Sequence, residues 1–327
     1  MEYFSKRNIN KFYSETKLIN SYYYKSDKDT SIVIASDIHY HPHINKEIYK
    51  LLIKYVRETK PDFVLIPGDL IETSEFIDDI EEKKFFEYMI RAIAEIAPVI
   101  IVPGNHDIGN FNASNLVNKH YSINTQSLKY LESLNRIRNV YFLNNEQTKI
   151  KDIMFLGFNP QLATYFKKND EITNNIFIED YLKSGLKMAE EDYNILLAHN
   201  PIPFANDQIE NSITDFSRTD LVVAGHLHDG YLPKSLDKYL GNTNAGLFFT
   251  PFIAPYPGII CRGVHNFGRG YIFISQGFRK LTADLKFLNA FERFCANDVE
   301  ELIISNPELI TFPTQTETSL NKTISLR

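Results

Sequence analysis

The chain has 327 residues, 43% of them hydrophobic, which is enough to bury a sizeable core and ordinary for one large α/β domain. Its formal charge of −6 argues against a broad nucleic-acid-binding face, which wants a basic excess. The two cysteines, Cys261 and Cys295, form no CxxC, so a disulfide framework is not expected and a reducing, cytoplasmic setting is. The polar residues 1–13 do not read as a signal peptide, and no apolar run approaches the roughly 20 residues of a membrane-spanning helix.

In chain order, residues 17–25 and 30–36 flank Ser26-Asp27-Lys28-Asp29 and read as a hairpin entering the core through Ile32-Val33-Ile34-Ala35. Ile48, Leu51, Leu52, Tyr55 and Val56 recur at helical spacing within 45–59. A strand follows at 63–66, ended by Pro67-Gly68. A helix over 79–97 places Phe86, Met89, Ile90, Ile93 and Ile96 on one stripe and is stopped by Pro98. Further strands are expected at 99–102, 139–143, 153–158, 193–198, 221–224 and 271–275, with a helix at 178–190. The Asn-rich stretch 167–175 reads as an exposed loop, and the Thr- and Ser-rich 311–327 as a loose tail.

Strand–helix alternation points to α/β layering. Several connections are too short for a crossover helix, so the sheets should be mixed. The simplest arrangement is two packed sheets flanked by helices. One catalytic domain is expected over 1–305, with 306–327 as a loosely ordered C-terminal tail.

Five short segments carry Asp, Asn or His: Asp37-Ile38-His39, Gly68-Asp69, Gly104-Asn105-His106-Asp107, His199-Asn200-Pro201 and Gly225-His226-Leu227-His228. Four directly follow β-like apolar runs, and the fifth follows Val102-Pro103. Loops at strand ends converge on one edge of a layered α/β fold, so residues distant in sequence can meet there. Oxygen ligands mixed with imidazole, and no thiolate, suit Mn, Fe, Zn or Co. They suit Mg or Ca less well, since those ions prefer all-oxygen shells. The set can serve two divalent metal ions, an arrangement fitted to attack on phosphorus by a metal-bound hydroxide. In an extended segment alternate side chains share a face, so His226 and His228 can each reach a different metal.

Each residue also has an ordinary structural reading. Asp37 or Asp69 alone would be a helix cap or turn former, Asn105 a turn residue behind Gly104, and His199 a hydrogen-bonded histidine at a strand end. Their joint order carries the functional reading. His41 and His43 read as substrate contacts or, in preference, as part of a surface loop. His120 and His265 have no motif partner.

Present in order over roughly residues 31–230, these segments resemble the calcineurin-like metallophosphoesterase family. The resemblance implies a four-layer α/β/β/α sandwich of two mixed β-sheets. Asp37, His39 and His228 match ligands of a first metal, and Asp69 matches the carboxylate that bridges both. Asn105, His199 and His226 match ligands of a second. His106 matches the catalytic histidine that contacts phosphate and protonates the leaving oxygen, and Asp107 matches its acidic partner. The implied activity is metal-dependent hydrolysis of a phosphodiester, pyrophosphate or phosphomonoester through a metal-bridging hydroxide. Phosphodiesterase or pyrophosphatase action is preferred.

The segments 195–201 and 220–228 resemble a bacterial branch related to UDP-2,3-diacylglucosamine pyrophosphatases. That branch often carries Gly-Gly after the last histidine, where this chain has Asp229-Gly230. It also carries a Pro-Pro-Glu segment near its C-terminus, where Asn297-Asp298-Val299-Glu300 stands here. The expected partner is a phosphorylated small-molecule or lipid-linked substrate, with nucleic acid disfavoured and peripheral membrane contact allowed. The aromatic, proline-studded stretch 246–260 reads as core in preference to a lipid-facing rim. A nuclease of the same fold and a non-catalytic metal-binding scaffold are the competing readings. The filled ligand positions count against the scaffold.

Overall fold

Side chains alternate between the two faces of a strand, and here several central strands are apolar on both. The computed structural model describes residues 11–26, 28–42, 44–72, 74–109, 123–165, 171–190, 192–205, 209, 212–231, 261–278, 298–308 and 320–325. In chain order the elements begin β1 (Lys11–Asn20), β2 (Thr30–Ile34), α1 (Glu47–Thr59), β3 (Phe63–Pro67), α2 (Ile80–Ala94) and β4 (Val99–Val102). They continue with α3 (Asn105–Ile108), α4 (Thr125–Glu132), β5 (Val140–Phe142), β6 (Glu146–Ile150), β7 (Ile153–Phe158) and α5 (Glu171–Ser184). Then come β8 (Tyr193–Ala198), α6 (Thr214–Ser217), β9 (Leu221–Ala224), β10 (Gly263–Phe267), β11 (Gly270–Ile274), β12 (Asp298–Ser305) and β13 (Leu320–Ser325).

The strands form two sheets, ordered β13-β1-β12-β2-β3-β4-β5 and β10-β11-β9-β8-β7-β6. Both are mixed. In the first, β2, β3, β4 and β5 run parallel while β12 opposes β2. In the second, β7, β8, β9 and β11 are parallel, with antiparallel β6 and β10 at the edges.

Alternation assigns the layers. Ile32, Ile34, Phe63, Leu65, Ile100 and Val102 of the first sheet meet Phe155, Ile195, Leu197, Leu221 and Val223 of the second in one buried cluster. Their sequence neighbours Val33, Val64, Ile66, Val99 and Ile101 face the other way, against Leu51, Leu52 and Val56 of α1 and Phe86, Ile90 and Ile93 of α2. On the far side, Leu156, Phe158, Leu196 and Val222 pack against Phe177 and Tyr181 of α5. The result is four layers, α/β/β/α. Each fully buried apolar side chain in them contributes about 1.5–3 kcal/mol.

Several local expectations change. Residues 17–25 and 30–36 do not form a hairpin, because β12 lies between β1 and β2, parallel to one and antiparallel to the other. Its Leu302 and Ile304 fill the inter-sheet core while Val299 faces the helices. The helix expected at 178–190 runs over Glu171–Ser184, and its first turn takes in part of the loop expected at 167–175. It is sited by Phe177 and Tyr181, which bury four residues apart. The tail expected to be loose contributes β13, which pairs antiparallel with β1 and satisfies that strand's outer backbone groups. The stretch 246–260, His43, His120 and Cys295 lie outside the described residues. Among the described residues no helix is long and apolar enough to cross a membrane.

Candidate metal centre

The site forms where parallel strands end and their backbones keep contact for a few more residues. Past β2 and β3, the Asp37 and His39 N–H groups donate to the Gly68 and Asp69 carbonyls at 3.1 and 2.9 Å. Past β8 and β9, Gly225 N–H donates to His199 O at 3.1 Å. The sheets then lean together through two glycines. A Cβ on Gly68, whose φ is +94°, would run into the His199 imidazole, and one on Gly225 would run into Ser36. These contacts explain why glycine precedes Asp69 and His226.

The loop backbone is strained where the chemistry sits. Asp37, His39, Asp69, His226, His228 and Asp229 all have φ between +45° and +71°, although none is glycine. Such a conformation costs of order 1–3 kcal/mol per residue and persists where surrounding contacts dictate it. Those contacts are present. Asp37 accepts the His226 N–H at 3.1 Å, and Asp69 Oδ1 accepts the His106 N–H at 2.8 Å.

Two buried groups result, each with its ligand atoms within 4.8 Å of one another. One gathers Asp37, His39, Asp69 and His228; the other gathers Asp69, His199 and His226. Asp69 belongs to both. In the first, His228 Nε2 lies 3.4 Å from Asp37 Oδ1, and His39 Nε2 lies 3.7 Å from Asp69 Oδ2. In the second, His199 Nε2 lies 3.0 Å from Asp69 Oδ2. His199 Nδ1 sits 2.7 Å from the Pro67 carbonyl, which fixes the tautomer and turns Nε2 inward. Asn105 is buried at the start of α3, and its neighbours on both sides touch Asp69.

Electrostatics follow from this crowding. Burial opposes the charge on Asp69, but His199 and His106 outweigh it and hold the carboxyl well below its usual range. Burial likewise opposes a charged His199, yet Asp69 and Asp37 raise it to about 9. His226, desolvated and beside His199, falls to about 3 and is a neutral donor. Buried Nε2 of His226 and Oδ1 of Asn105 have no hydrogen-bond partner among the described residues. Unsatisfied buried polar atoms are rare in proteins. These two, with the convergent carboxylates and imidazoles, fit divalent cations.

Asp107 does not orient His106 as expected. It is fully buried, and its Oδ2 accepts Gly104 N–H at 2.8 Å and Leu70 N–H at 3.1 Å while Oδ1 accepts Ile71 N–H at 2.9 Å. It therefore ties the Gly68-Asp69 loop to the Gly104 loop. Burial and the nearby Asp69 push its carboxyl up to about 7, against the pull of those amides. The carboxylate that faces His106 is Glu72, with Oε1 3.6 Å from Nδ1. Its other oxygen lies 2.7 Å from His39 Nδ1. Sequence reasoning missed Glu72. The available signal was an acidic residue three positions after Asp69. Tyr165 was also missed. Its ring lies 5.3 Å from that of His226 and 5.9 Å from that of His199. His41, beyond the first motif, is half-buried and its N–H donates to the Tyr49 hydroxyl at 3.3 Å.

Comparison with known proteins covers the same loops. The model of the calcineurin-like phosphoesterase family matches residues 30–230. An uncharacterised metallophosphoesterase of Helicobacter pylori (strain ATCC 700392 / 26695) is 29% identical over 220 residues, 67% of this chain and 50% of its own. The chain thus spans about half the length of that relative. The uncharacterised metallophosphoesterase YkuE of Bacillus subtilis (strain 168) is 22% identical over 258 residues, 79% of this chain and 74% of its own. A crystal structure of a dimetal phosphatase from Danio rerio aligns with a TM-score of 0.37 and 12% identity over 76% of this chain and 87% of that one. The family match opens at the first residue of β2 and closes just after His228, taking in every loop that builds the metal centre, and the chain belongs to the calcineurin-like phosphoesterase family.

Proposed function

We propose that this protein is a dinuclear phosphohydrolase that acts on a phosphodiester or pyrophosphate in preference to a phosphomonoester. The observation that carries the dinuclear reading is Asp69, which belongs to both ligand clusters. Asp37, His39 and His228 would hold one cation, Asn105, His199 and His226 the other, and Asp69 both. Mn, Fe, Zn or Co suit this mixed oxygen and imidazole set. Divalent cations there supply Lewis acidity, which makes water nucleophilic at neutral pH and offsets phosphoryl charge.

The chain's own groups do the rest. His106 keeps 18% of its side-chain surface exposed, whereas His39 and His199 keep none, so His106 is the imidazole a substrate can reach. It donates a proton to the leaving oxygen, with the Glu72 carboxylate facing its Nδ1 at 3.6 Å. The preference for diester or pyrophosphate is supported by the likeness of segments 195–201 and 220–228 to a pyrophosphatase-related bacterial branch.

The test is chelator-stripped protein assayed with added Mn²⁺ on paired mono- and bis-nitrophenyl phosphates. Mn-dependent cleavage of the bis-ester, faster than of the mono-ester, is expected. Cleavage of the mono-ester alone would overturn the substrate preference, and cleavage of neither would count against hydrolysis.

A further inference from the structure

Tyr165 ends a short 3-10 turn, Leu162–Tyr165, that follows β7. That turn is fixed from both sides. Gln161 donates its backbone N–H and its side-chain amide to Asp180 of α5 at 2.9 and 2.7 Å. Asn200, the residue after His199, donates to the Thr164 carbonyl at 3.5 Å. The Tyr165 ring is 1% exposed and packs with Ile108 and Leu162 on one side. On the other it meets His226 edge-on, with ring planes 72° apart, and His199 at a tilt of 40°.

Phenylalanine would present the same ring to these neighbours. The chain instead places a phenol there, and its buried hydroxyl has no hydrogen-bond partner among the described residues. A hydroxyl left so costs stability, and a neutral phenol is a good donor. Its position beside the two imidazoles of the Asp69–His199–His226 cluster leaves an acceptor inside the site as the natural partner. We propose that the Tyr165 hydroxyl donates a hydrogen bond to an oxygen atom bound in the Asp69–His199–His226 half of the site. That oxygen belongs either to a water brought by the cation or to a phosphoryl group. The inference rests on the two-cation reading above.

The experiment compares the full chain with Tyr165→Phe, which keeps the ring and removes only the oxygen. Mn²⁺ uptake is followed by titration calorimetry, once alone and once with inorganic phosphate. Lost outer hydrogen bonds typically weaken metal affinity about 10–100-fold. A drop of about tenfold for one ion, with the other unchanged, is expected. If the drop appears without phosphate, the acceptor is water; if it appears only with phosphate, the acceptor is a phosphoryl oxygen. Tyr165→Phe that matches the wild type in both arms, or that weakens both ions equally, overturns the inference. A wild-type chain that takes up fewer than two ions overturns the two-cation reading itself.

Discussion

The loops of the first sheet and those of the second hold their site residues in different ways. The first sheet brings the carboxylates, and backbone amides fix them, most of them from its own loops. Asp107 accepts three N–H groups, Asp69 accepts one from His106, and Asp37 accepts one from His226. The second sheet brings His199, His226 and His228, which depend on ring contacts and on the first sheet. His199 and His226 meet edge-on at 5.0 Å and lean on Tyr165, and the anchor for His199 is the Pro67 carbonyl at the end of β3. Fixed dipoles around a charge need no reorganisation when a ligand or transition state arrives. The acidic half is therefore a preorganised frame, and the imidazole half is docked onto it.

Five substitutions bear on that contrast. Asp69→Asn strikes the carboxylate both clusters share and should lower turnover by about 10³-fold while circular dichroism stays native. A small effect would remove Asp69 from the centre of the site. His106→Ala should lose about 10²-fold or more in turnover with metal uptake unchanged. Parallel loss of metal would make it a ligand rather than a proton donor. Asp107→Ala leaves three buried amides unsatisfied and should cost about 3 kcal/mol in urea unfolding. His226→Ala, which takes away no carboxylate anchor, should cost less. The reverse order would contradict the frame-and-docked-half account. Glu72→Gln keeps the shape but removes the charge facing His39 and His106, and should lower turnover about tenfold. Wild-type kinetics would show that neither histidine depends on it.

The parts legible in the sequence were those with a local sign. Strands β7, β8 and β9 begin and end where the apolar runs 153–158, 193–198 and 221–224 do. The helices over Glu47–Thr59 and Ile80–Ala94 declare themselves by their buried stripes, with Asp79 capping the second through the Glu81 and Glu82 amides. Elements without such a sign went unseen. β6, with the sequence EQTKI, is a mostly polar edge strand with no apolar run. The neighbour of β2 could not be read locally, because β12 lies more than 260 residues further along the chain.

The same division holds at the site. The Asp, Asn and His of the five motifs stand out as residue types behind strands. Glu72 and Tyr165 lie outside the five motifs, and their importance appears only when folding carries them to His106 and His226. The change in the reading of Asp107 has the same origin. An acid next to His106 in sequence suggests a partner, but the turn of α3 points its carboxylate at the amides of Gly104, Leu70 and Ile71.

Two cations sharing Asp69 would join the two halves of the site. Metal content per chain, measured by native mass spectrometry at saturating Mn²⁺ on wild type and Asp69→Asn, tests it most directly. Two ions are expected on the wild type and fewer on the variant, with turnover on the bis-nitrophenyl ester rising as the second ion binds. One ion on the wild type, or two ions on both proteins with equal affinity, would contradict it.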